Sequence, residues 1–366
     1  MVRFIGKQKS NEVFGKGSAD RGPYEARNHK GAPMAKKKIL LITTGGTIAS
    51  KPGEDGLTPQ MGSGQLLSYM EDLPSHFDID VEDLMSLDSS NIQAEEWQVM
   101  ARAIAARIAD YDGIVMTHGT DTMAYTASML CYMLRNLDKP VVITGSQVPI
   151  DNMLTDARNN LYTAFAAAES GIQGVSIAFN RKIIRGCRAV KVRTMGFEAF
   201  ESVNAGLLGE VYGDGLRKYV ADKKPAGPFE LKDSLSTDVF LLKLIPSTKP
   251  EIFDTLRSMN YRGIVIEAFG MGGMHFIRRN LLDALRRLTA EGVSVVVCSQ
   301  CLYDASDLRF YEVGTKLLSC GVISGRDMTT EAAVTKLMWA LGNSKDPKEV
   351  RRLFDTDLAG EVVIPE

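Results

Sequence analysis

Long apolar stretches are missing from this sequence of 366 residues. No apolar run approaches the ~20 residues that a membrane-spanning helix needs, and the N-terminus lacks the apolar core of a secretory signal peptide. An excess of one charge is missing too, because 43 Lys and Arg residues face 45 Asp and Glu residues. Such a balance gives no electrostatic reason to expect nucleic acid or an anionic membrane as a partner.

Cysteine and histidine are scarce, with five and four residues. An odd number of scattered cysteines is typical of reduced thiols in a cytoplasmic protein rather than of a disulfide framework. Cys298 and Cys301 form a CxxC pair, which would suit redox chemistry or a metal. We interpret them instead as the end of the buried strand VSVVVC, because no second CxxC or nearby histidine completes a metal site. No HExxH or phosphate-binding motif occurs, and we expect neither metal nor cofactor.

The chain divides by composition into four parts. Residues 1–34 are polar and aperiodic, and we interpret them as a disordered or artefactual leader; an upstream translation start, a transit peptide or a basic RNA-contacting tail are alternatives. Residues 213–237 are polar and contain Gly and Pro without periodicity, which is typical of an interdomain linker. We therefore expect a larger N-terminal domain at 35–212 and a smaller C-terminal domain at 238–366.

Strand and helix patterns alternate from residue 37 onward. Short apolar runs such as KILLIT, GIVMT, PVVITGS, GVSIAF, GIVIEAF and VSVVVCSQ have the composition of buried strands. Helical periodicity at 93–109, with Asn91 as a candidate cap, and at 122–137 separates some of these runs. This alternation predicts an α/β fold with two domains, the larger built on a parallel sheet of flavodoxin or Rossmann type and the smaller also α/β.

Two of these strands run directly into glycine–threonine loops. KILLITTGGTIAS (38–50) places Thr47 after a glycine pair, and GIVMTHGTDTMAYTAS (113–128) places Thr120 and Asp121 after a third glycine. The carboxyl ends of parallel strands are where open α/β sheets bind ligands. A hydroxyl there can act as a covalent nucleophile when a base activates it. The alternative for all three residues is a capping role at the helix or turn that follows.

Six segments in order resemble the L-asparaginases, specifically the bacterial type I cytoplasmic group. They are the two loops just quoted together with LDSSN (87–91), TGSQVP (144–149), RAVKVRTMGFEAF (188–200) and GVISGRDMTTEAAVTKL (321–337). The resemblance covers roughly residues 36 to 360, and it implies the two-domain division given above. It also implies hydrolysis of the side-chain amide of L-asparagine to L-aspartate and ammonia, in a homodimer or homotetramer.

The resemblance assigns catalytic roles to four residues: Thr47, Thr120, Asp121 and Lys191. It implies that Thr47 attacks the amide and forms an acyl-enzyme, and that Thr120 lies across the substrate, supported by Lys191. Without the resemblance Lys191 would be interpreted as a solvated lysine, and its role as base or orienting group stays open, because a free lysine is protonated at neutral pH. His118 is expected to be a buried structural histidine rather than a base.

Substrate binding is assigned to Asp88, Ser89 and Ser90, with Thr120 and Asp121 contributing. The resemblance implies that Asp121 binds the α-amino group of the substrate. Ser89 is the best match for the group that binds the α-carboxylate. A helix-capping serine is the alternative for Ser89.

The chain departs from the family pattern in two places. The loop at 51–60 has Leu57 where many asparaginases have a tyrosine, so that Thr58 is a candidate to supply the missing hydroxyl; the loop itself is a candidate lid. The segment GMGGMH (270–275) lacks an asparagine that relatives often have. In the family a C-terminal residue of a partner subunit completes the site, and Glu312 is a loose candidate for that residue.

Two other functions remain open from the sequence. A subunit of a tRNA-dependent amidotransferase would share the same core but would need a further N-terminal domain and a partner chain. A non-catalytic amino-acid-binding protein on the same fold is the second alternative. The presence of all four candidate catalytic residues argues against it.

Overall fold

The computed structural model describes residues 35–53, 56–221 and 225–364. The leader expected at residues 1–34 lies outside the described residues.

The strands in these ranges are β1 Lys37–Gly45, β2 Ser50–Gly53, β3 Gly56–Pro59, β4 Phe77–Leu87, β5 Gly113–Thr117, β6 Leu134–Arg135, β7 Pro140–Thr144, β8 Gly174–Phe179, β9 Lys182–Arg185, β10 Ala189–Lys191, β11 Phe200–Ser202, β12 Gly209–Tyr212, β13 Gly215–Lys218, β14 Glu230–Leu231, β15 Val239–Lys243, β16 Gly263–Ala268, β17 Ser294–Ser299 and β18 Ile323–Ser324. The α-helices in the same ranges are α1 Ser63–Ser68, α2 Leu73–His76, α3 Ala94–Arg107, α4 Met123–Met133, α5 Ala157–Glu169, α6 Glu251–Ser258, α7 Leu281–Ala290, α8 Glu312–Ser319, α9 Thr330–Asn343 and α10 Pro347–Phe354.

The larger sheet has eight strands in the order β13-β12-β9-β8-β7-β5-β1-β4. Strands β4, β1, β5, β7 and β8 are parallel, and the antiparallel strands β9, β12 and β13 extend one edge. The α/β fold with a large parallel-rich sheet is confirmed. Taken in chain order, the parallel strands stand second-first-third-fourth-fifth, which is the flavodoxin type of doubly wound sheet rather than the Rossmann order.

Strand β1 shows why the central strands read as continuous apolar runs. Its side chains alternate between two cores, with Leu40 and Ile42 in one cluster and Ile39 and Leu41 in the other. Helices α3 and α4 supply the first core and α5 the second. A parallel sheet covered on both faces needs apolar residues at every position, which gives the unbroken KILLI pattern.

The smaller sheet consists of β15, β16, β17 and β18 in that order, all parallel. Helices α6 and α7 cover one face of it, and α9 packs on the other face together with side chains of the large domain. This sheet is the smaller α/β domain that the sequence predicted.

Helices α4 and α9 join the two sheets. The hydroxyl of Tyr132 on α4 donates to the carbonyl of Ala332 on α9 at 3.2 Å. Next to this contact the buried guanidinium of Arg188 donates to the Asp327 carboxylate at 2.9 Å and to the Gly360 carbonyl at 2.7 Å. Arg188 immediately precedes β10, so these bonds attach the strand that carries Lys191 to the C-terminal part of the chain.

Several local expectations need correction. The segment 213–237, predicted as a linker, contains β13, which pairs with β12 in the large sheet, and β14, which pairs with β6. Strand β13 is the edge strand of the large sheet, whereas β14 belongs to a separate two-stranded sheet. Both strands are short and lack the apolar pattern of the central strands. Asn91 does not cap α3: that helix begins at Ala94, and the backbone N–H of Gln93 donates to Glu96 Oε2 at 2.9 Å.

Candidate active site

Four loops meet at one edge of the large sheet, each at the carboxyl end of a strand. They follow the adjacent strands β4, β1, β5 and β7 and comprise residues 88–90, 45–47, 118–121 and 145–148. Strand β4 pairs with one side of β1, and β5, the next strand of this sheet along the chain, pairs with the other side of β1. Such a reversal of strand order opens a crevice between the loops, the usual position of ligands in doubly wound sheets.

Glycine conformation shapes the first loop. Gly45 and Gly46 have φ values of 102° and 81°, which favour glycine because no Cβ is present to clash. Gly46 precedes a 3₁₀ turn, Thr47–Ala49, and no side chain caps that turn. In the described part of the chain the half-buried Thr47 hydroxyl has no hydrogen-bond partner. Thr47 therefore does not act as the cap that was considered for it, and its hydroxyl is free to contact a ligand.

Direct backbone contact holds the first and second loops together. A Cβ on Gly46 would lie 2.4 Å from the Gly119 nitrogen, and a Cβ on Gly119 would lie 2.6 Å from Ser89 Oγ. No real Cβ comes so close to another heavy atom. The two glycines therefore bring Thr47, Thr120 and Ser89, each on or next to these contacts, to one place.

Lys191 reaches this place from β10 and joins two of the predicted residues. Its Nζ donates to Thr120 Oγ1 at 2.8 Å and to Asp121 Oδ1 at 2.6 Å. The Lys191 side chain is 15% exposed and that of Asp121 is 64% exposed. An ammonium group at this distance favours the negative form of a hydroxyl oxygen, so the arrangement can stabilise charge that develops on Thr120 during a reaction.

Gln147 completes the hydrogen bonding of Thr120. The Thr120 hydroxyl donates to Gln147 Oε1 at 3.2 Å, while Gln147 Nε2 donates to the carbonyls of Thr194 and Gly196. Sequence reasoning missed this residue, although TGSQVP was among the quoted segments. Its position just after a buried strand, at the same sheet edge as the two loops, was the signal that could have found it.

The segment 87–91 contributes Ser89 more directly than its neighbours. Buried Ser89 accepts a hydrogen bond at Oγ from the Asp121 backbone N–H at 3.2 Å, and it caps no helix. Asp88 instead binds the Ser90 N–H at 2.8 Å and the Ser90 hydroxyl at 2.5 Å. Asp88 and Ser90 are thus exposed and bonded to each other, while Ser89 lies among the loops.

His118 is buried, as the sequence led us to expect. Its Nδ1 donates to the Gly119 carbonyl at 2.6 Å, so Nε2 accepts from the Thr126 hydroxyl at 2.9 Å. Thr126 in turn accepts from Trp97 Nε1 at 2.9 Å. Burial lowers the pKa of His118 to about 4. The imidazole is therefore neutral near pH 7, and its nitrogens are used in holding the loop.

The loop at 51–60 and Glu312, which were singled out in the comparison with the family pattern, lie in a hairpin and at the start of a helix. Strands β2 and β3 pair as a hairpin that includes Thr58, whose hydroxyl accepts from Gln60 Nε2 at 2.7 Å. The side chain of Leu57 lies outside the described residues. Glu312 begins α8 and forms an ion pair with Lys316 at 2.7 Å.

The candidate site combines buried and exposed groups: Ser89 and Thr120 are buried, whereas the Asp121 side chain is 64% exposed. A cavity of about 590 Å³ and one of about 540 Å³ lie elsewhere in the described residues, and Thr47, Thr120 and Lys191 line neither. Large apolar side chains are exposed on two nearby segments: Met153 and Leu154 follow Gln147, and Met195 and Phe197 flank the carbonyls that it binds. None of the described helices is long and apolar enough to cross a membrane.

Comparison with known proteins assigns both halves of the chain to one family. The model described as "Asparaginase, N-terminal" matches residues 38–223, and the model described as "Glutaminase/Asparaginase C-terminal domain" matches residues 238–354. The chain belongs to the asparaginase family.

Relatives in this family include an L-asparaginase of Thermococcus kodakarensis, 40% identical over 331 residues, with 89% of this chain and 99% of that protein covered. A glutamyl-tRNA(Gln) amidotransferase subunit of the same organism is 36% identical over 342 residues, covering 88% of this chain and 76% of that protein.

Solved structures of the family superpose well. L-asparaginase I from Vibrio cholerae gives a TM-score of 0.82 at 33% identity, covering 90% of this chain and all of that one. A probable cytoplasmic L-asparaginase from Campylobacter jejuni gives 0.74 at 31% identity, covering 88% of this chain and all of that one. The two-domain asparaginase fold and the assignment to an amidohydrolase family are therefore established.

Proposed function

We propose that this asparaginase-family enzyme hydrolyses the side-chain amide of L-asparagine to L-aspartate and ammonia, with Thr47 as nucleophile. One observation carries the proposal: the unpartnered Thr47 hydroxyl lies in a loop that contacts, through Gly46 and Gly119, the loop where Lys191 holds Thr120 and Asp121. Acyl transfer by a hydroxyl requires a nucleophile and a group that activates it. In this proposal Thr47 is the nucleophile, and Thr120 with its hydrogen-bonded Lys191 is the activating group on the other side of the crevice.

The reaction proceeds in two halves. The Thr47 oxygen attacks the amide carbon, the hydroxyl proton is transferred to the amide nitrogen, and ammonia leaves as an ester forms on Thr47. Water then adds to the ester carbon, aspartate leaves, and a proton returns to Thr47. Thr120 lies across the substrate and relays the proton: it takes the proton of Thr47 and gives its own to the amide nitrogen. Lys191 and Gln147 hold its hydroxyl in position through hydrogen bonds.

Lys191 acts in this scheme as an orienting and charge-stabilising group. Its Nζ donates to Thr120 and to Asp121 and forms an ion pair with the Asp121 carboxylate. A positive charge beside Thr120 lowers the energy of the anionic hydroxyl form that the relay passes through.

Substrate recognition uses the ends of the amino acid. The exposed Asp121 carboxylate is placed to bind the α-amino group. Ser89 Oγ already accepts from the Asp121 N–H, so its own proton remains for the α-carboxylate, with Asp88 and Ser90 on the same turn. One added methylene is typically discriminated by only ~1–3 kcal/mol, so we propose glutamine as a poor secondary substrate.

A homo-oligomer, dimer or tetramer, completes the site in this proposal. The open face around Asp121 and the exposed Met153, Leu154, Met195 and Phe197 support a protein partner there, because apolar patches beside a site mark interfaces. The partner subunit then supplies the missing wall. A cytoplasmic location is proposed from the free cysteines and from the described location of the Campylobacter relative.

Two domains, at 35–212 and 238–366, carry the proposed chemistry, with the nucleophile and its partners in the first. The amidotransferase alternative is favoured by the amidotransferase relatives, but the chain covers 99% of the L-asparaginase and 76% of the amidotransferase subunit. The presence of Thr47, Thr120, Asp121 and Lys191 argues against a non-catalytic binding protein.

Ammonia release from purified protein with L-asparagine and, in parallel, L-glutamine tests the proposal. Rapid release from asparagine is expected, with loss of turnover in Thr47→Ala and in Thr120→Ala at unchanged thermal melting. Thr47→Ser keeps a hydroxyl and should retain measurable turnover. Thr255→Ala is the matched control, because that hydroxyl donates only to the Glu251 carbonyl of its own helix. Near-wild-type turnover of Thr120→Ala would contradict the two-threonine mechanism.

The covalent step has its own readout. Hydroxylamine competes with water for an acyl-enzyme, so the wild-type enzyme should convert asparagine partly to the aspartyl hydroxamate, and Thr47→Ala should form none. Wild-type protein that releases no ammonia from either amide would shift the assignment to an amidotransferase or a binding protein.

A further inference from the structure

The cavity of about 540 Å³ in the C-terminal part of the chain has no role in the proposed reaction. Its walls come from residues 305–309, the segment that follows β18, helix α10 and the C-terminal residues Val363 and Ile364. Cavities that bind small molecules have volumes of roughly 300–1,000 Å³, so this one is large enough for a ligand.

Arg326 in the wall has a hydrogen-bonding group that the described residues leave unused. Its Nη2 donates to Asp355 Oδ1 at 2.9 Å, whereas its Nη1 is buried and has no hydrogen-bond partner among the described residues. A buried charged donor without an acceptor is unfavourable, and native structures normally pair it with protein, water or ligand. The Arg326 side chain is 26% exposed, so a small movement of its guanidinium would bring Nη1 to an anion in the cavity, which would supply that acceptor.

The cavity lining holds three arginines and three aspartates, and the buried Arg188 behind Asp327 adds one positive charge. Arg309 binds the Asp307 carboxylate through two nitrogens, at 3.0 and 3.1 Å. Asp327 is neutralised from behind by the buried Arg188, and Asp355 is occupied by Arg326. Arg351 has no carboxylate partner in the described residues; it donates to the carbonyls of Gly321 and Val322.

This distribution selects the kind of anion. Each of the three carboxylates of the wall has an arginine partner, so the ammonium group of an amino acid would compete with a guanidinium for any of them. Leu308, Leu318, Val363 and Ile364 give the same cavity an apolar surface, which suits a hydrocarbon chain. Guanidinium groups bind carboxylates through paired hydrogen bonds of matching geometry.

We propose that this cavity is a second ligand site, which binds a small organic monocarboxylate with an apolar body. The carboxylate occupies the positive side formed by Arg326 and Arg351, and the hydrocarbon part lies against the apolar wall. The site shares no lining residue with the loops that hold Thr47, Thr120 and Lys191, so binding does not depend on the proposed hydrolysis.

Isothermal titration calorimetry of the full chain with hexanoate tests the proposal. Hexylamine, which has the same apolar body and the opposite charge, and inorganic phosphate, which has charge without the body, are the comparison probes. We expect hexanoate to bind with one site per chain at millimolar concentrations or below, and both comparison probes to bind far more weakly.

Variants then locate the site. Arg326→Gln should weaken hexanoate binding by about tenfold or more, since a charge-assisted hydrogen bond is lost. Arg351→Gln is a second variant with the same expected direction, should the first fail to fold by its thermal melting curve. Arg286→Gln on α7, an exposed arginine paired with Asp283, is the matched control and should bind hexanoate like the wild type.

Three results would overturn the proposal. They are the absence of hexanoate binding to the wild-type chain, equal binding of hexylamine and hexanoate, and folded Arg326→Gln and Arg351→Gln variants that bind hexanoate as the wild type does. Because none of these measurements uses turnover, they are independent of whether the chain hydrolyses asparagine.

Discussion

Replacing Lys191 by methionine tests the centre of the proposed site. Methionine keeps most of the length and the apolar stem of lysine but removes the ammonium group, which lies 2.8 Å from Thr120 Oγ1 and 2.6 Å from Asp121 Oδ1. Among the described residues, the change therefore leaves the Thr120 hydroxyl bonded only to Gln147, and it removes the positive charge beside the proposed proton relay.

The expected loss of activity is large and the expected loss of stability small. Loss of one preorganised donor that stabilises developing charge costs about 10²–10³-fold in rate, which is roughly 3–4 kcal/mol at 1.36 kcal/mol per factor of ten. The ion pair itself contributes little to folding, because the Asp121 carboxylate is 64% exposed and exposed pairs are worth about 0–1 kcal/mol. Lys191→Met should therefore reduce kcat by about 10²-fold or more while the urea midpoint moves little.

Steady-state ammonia release and urea unfolding measure the two quantities on the same preparations. Lys37→Met is the matched control, because Lys37 forms a lysine–aspartate pair with Asp112 at 3.0 Å, at the amino end of β1, opposite to the site. This control should keep wild-type kcat. A folded Lys191→Met enzyme with kcat within about tenfold of wild type would refute the role assigned to Lys191.

Three further changes probe the loops and the link between the domains. Gly46→Ala places a Cβ 2.4 Å from the Gly119 nitrogen at φ 81°, and it should lower kcat/KM and the melting temperature together. The control is Gly64→Ala, whose Cβ would have no heavy atom within 4 Å. This control should leave kcat/KM unchanged and raise the melting temperature slightly. The folded pKa of His118, about 4, lies below the unfolded value of about 6.5, so stability should fall by up to about 3 kcal/mol as pH drops from about 6.5 to about 4; an NMR titration that shows His118 protonating near pH 6.5 in the folded enzyme would contradict this. Arg188→Met leaves the buried Asp327 without its cation and should lower the free energy of unfolding in urea by about 3–5 kcal/mol. A decrease of less than about 1 kcal/mol would show that this ion pair does not stabilise the contact between the domains.

The central strands could be predicted because each carries its own signal, whereas their order in the sheet was left open between the flavodoxin and Rossmann types. Runs such as KILLIT and GIVMT are apolar at consecutive positions, as a sheet covered on both faces demands, and the glycines after them mark where each strand ends. Strands β12 and β13, at one end of the large sheet, and β14, which pairs with β6 in a two-stranded sheet, lack this signal. These segments are strands because they pair with neighbouring strands, and their outer faces are polar instead of following an apolar pattern. For that reason β13 and β14 were interpreted as part of a linker.

The pairing within the site could be predicted only through the family resemblance. Lys191 is 71 positions away from Thr120 along the chain, and nothing in RAVKVR distinguishes a lysine at the site from a solvated one. Gln147 was missed for a similar reason, since its contacts with Thr120 and with the carbonyls of Thr194 and Gly196 arise only when three loops fold together. Local composition carries no information about such contacts.

The two glycine–threonine loops, by contrast, act as a single unit in three dimensions. Gly46 touches the backbone of Gly119, and Gly119 touches Ser89, so a side chain at either glycine would separate threonines that lie on different strands. Each glycine is thus required by the other loop rather than by its own turn alone. This explains why one Gly-Gly-Thr loop would be weak evidence of chemistry, whereas two loops on the neighbouring strands β1 and β5, at the point where strand order reverses, indicate a site.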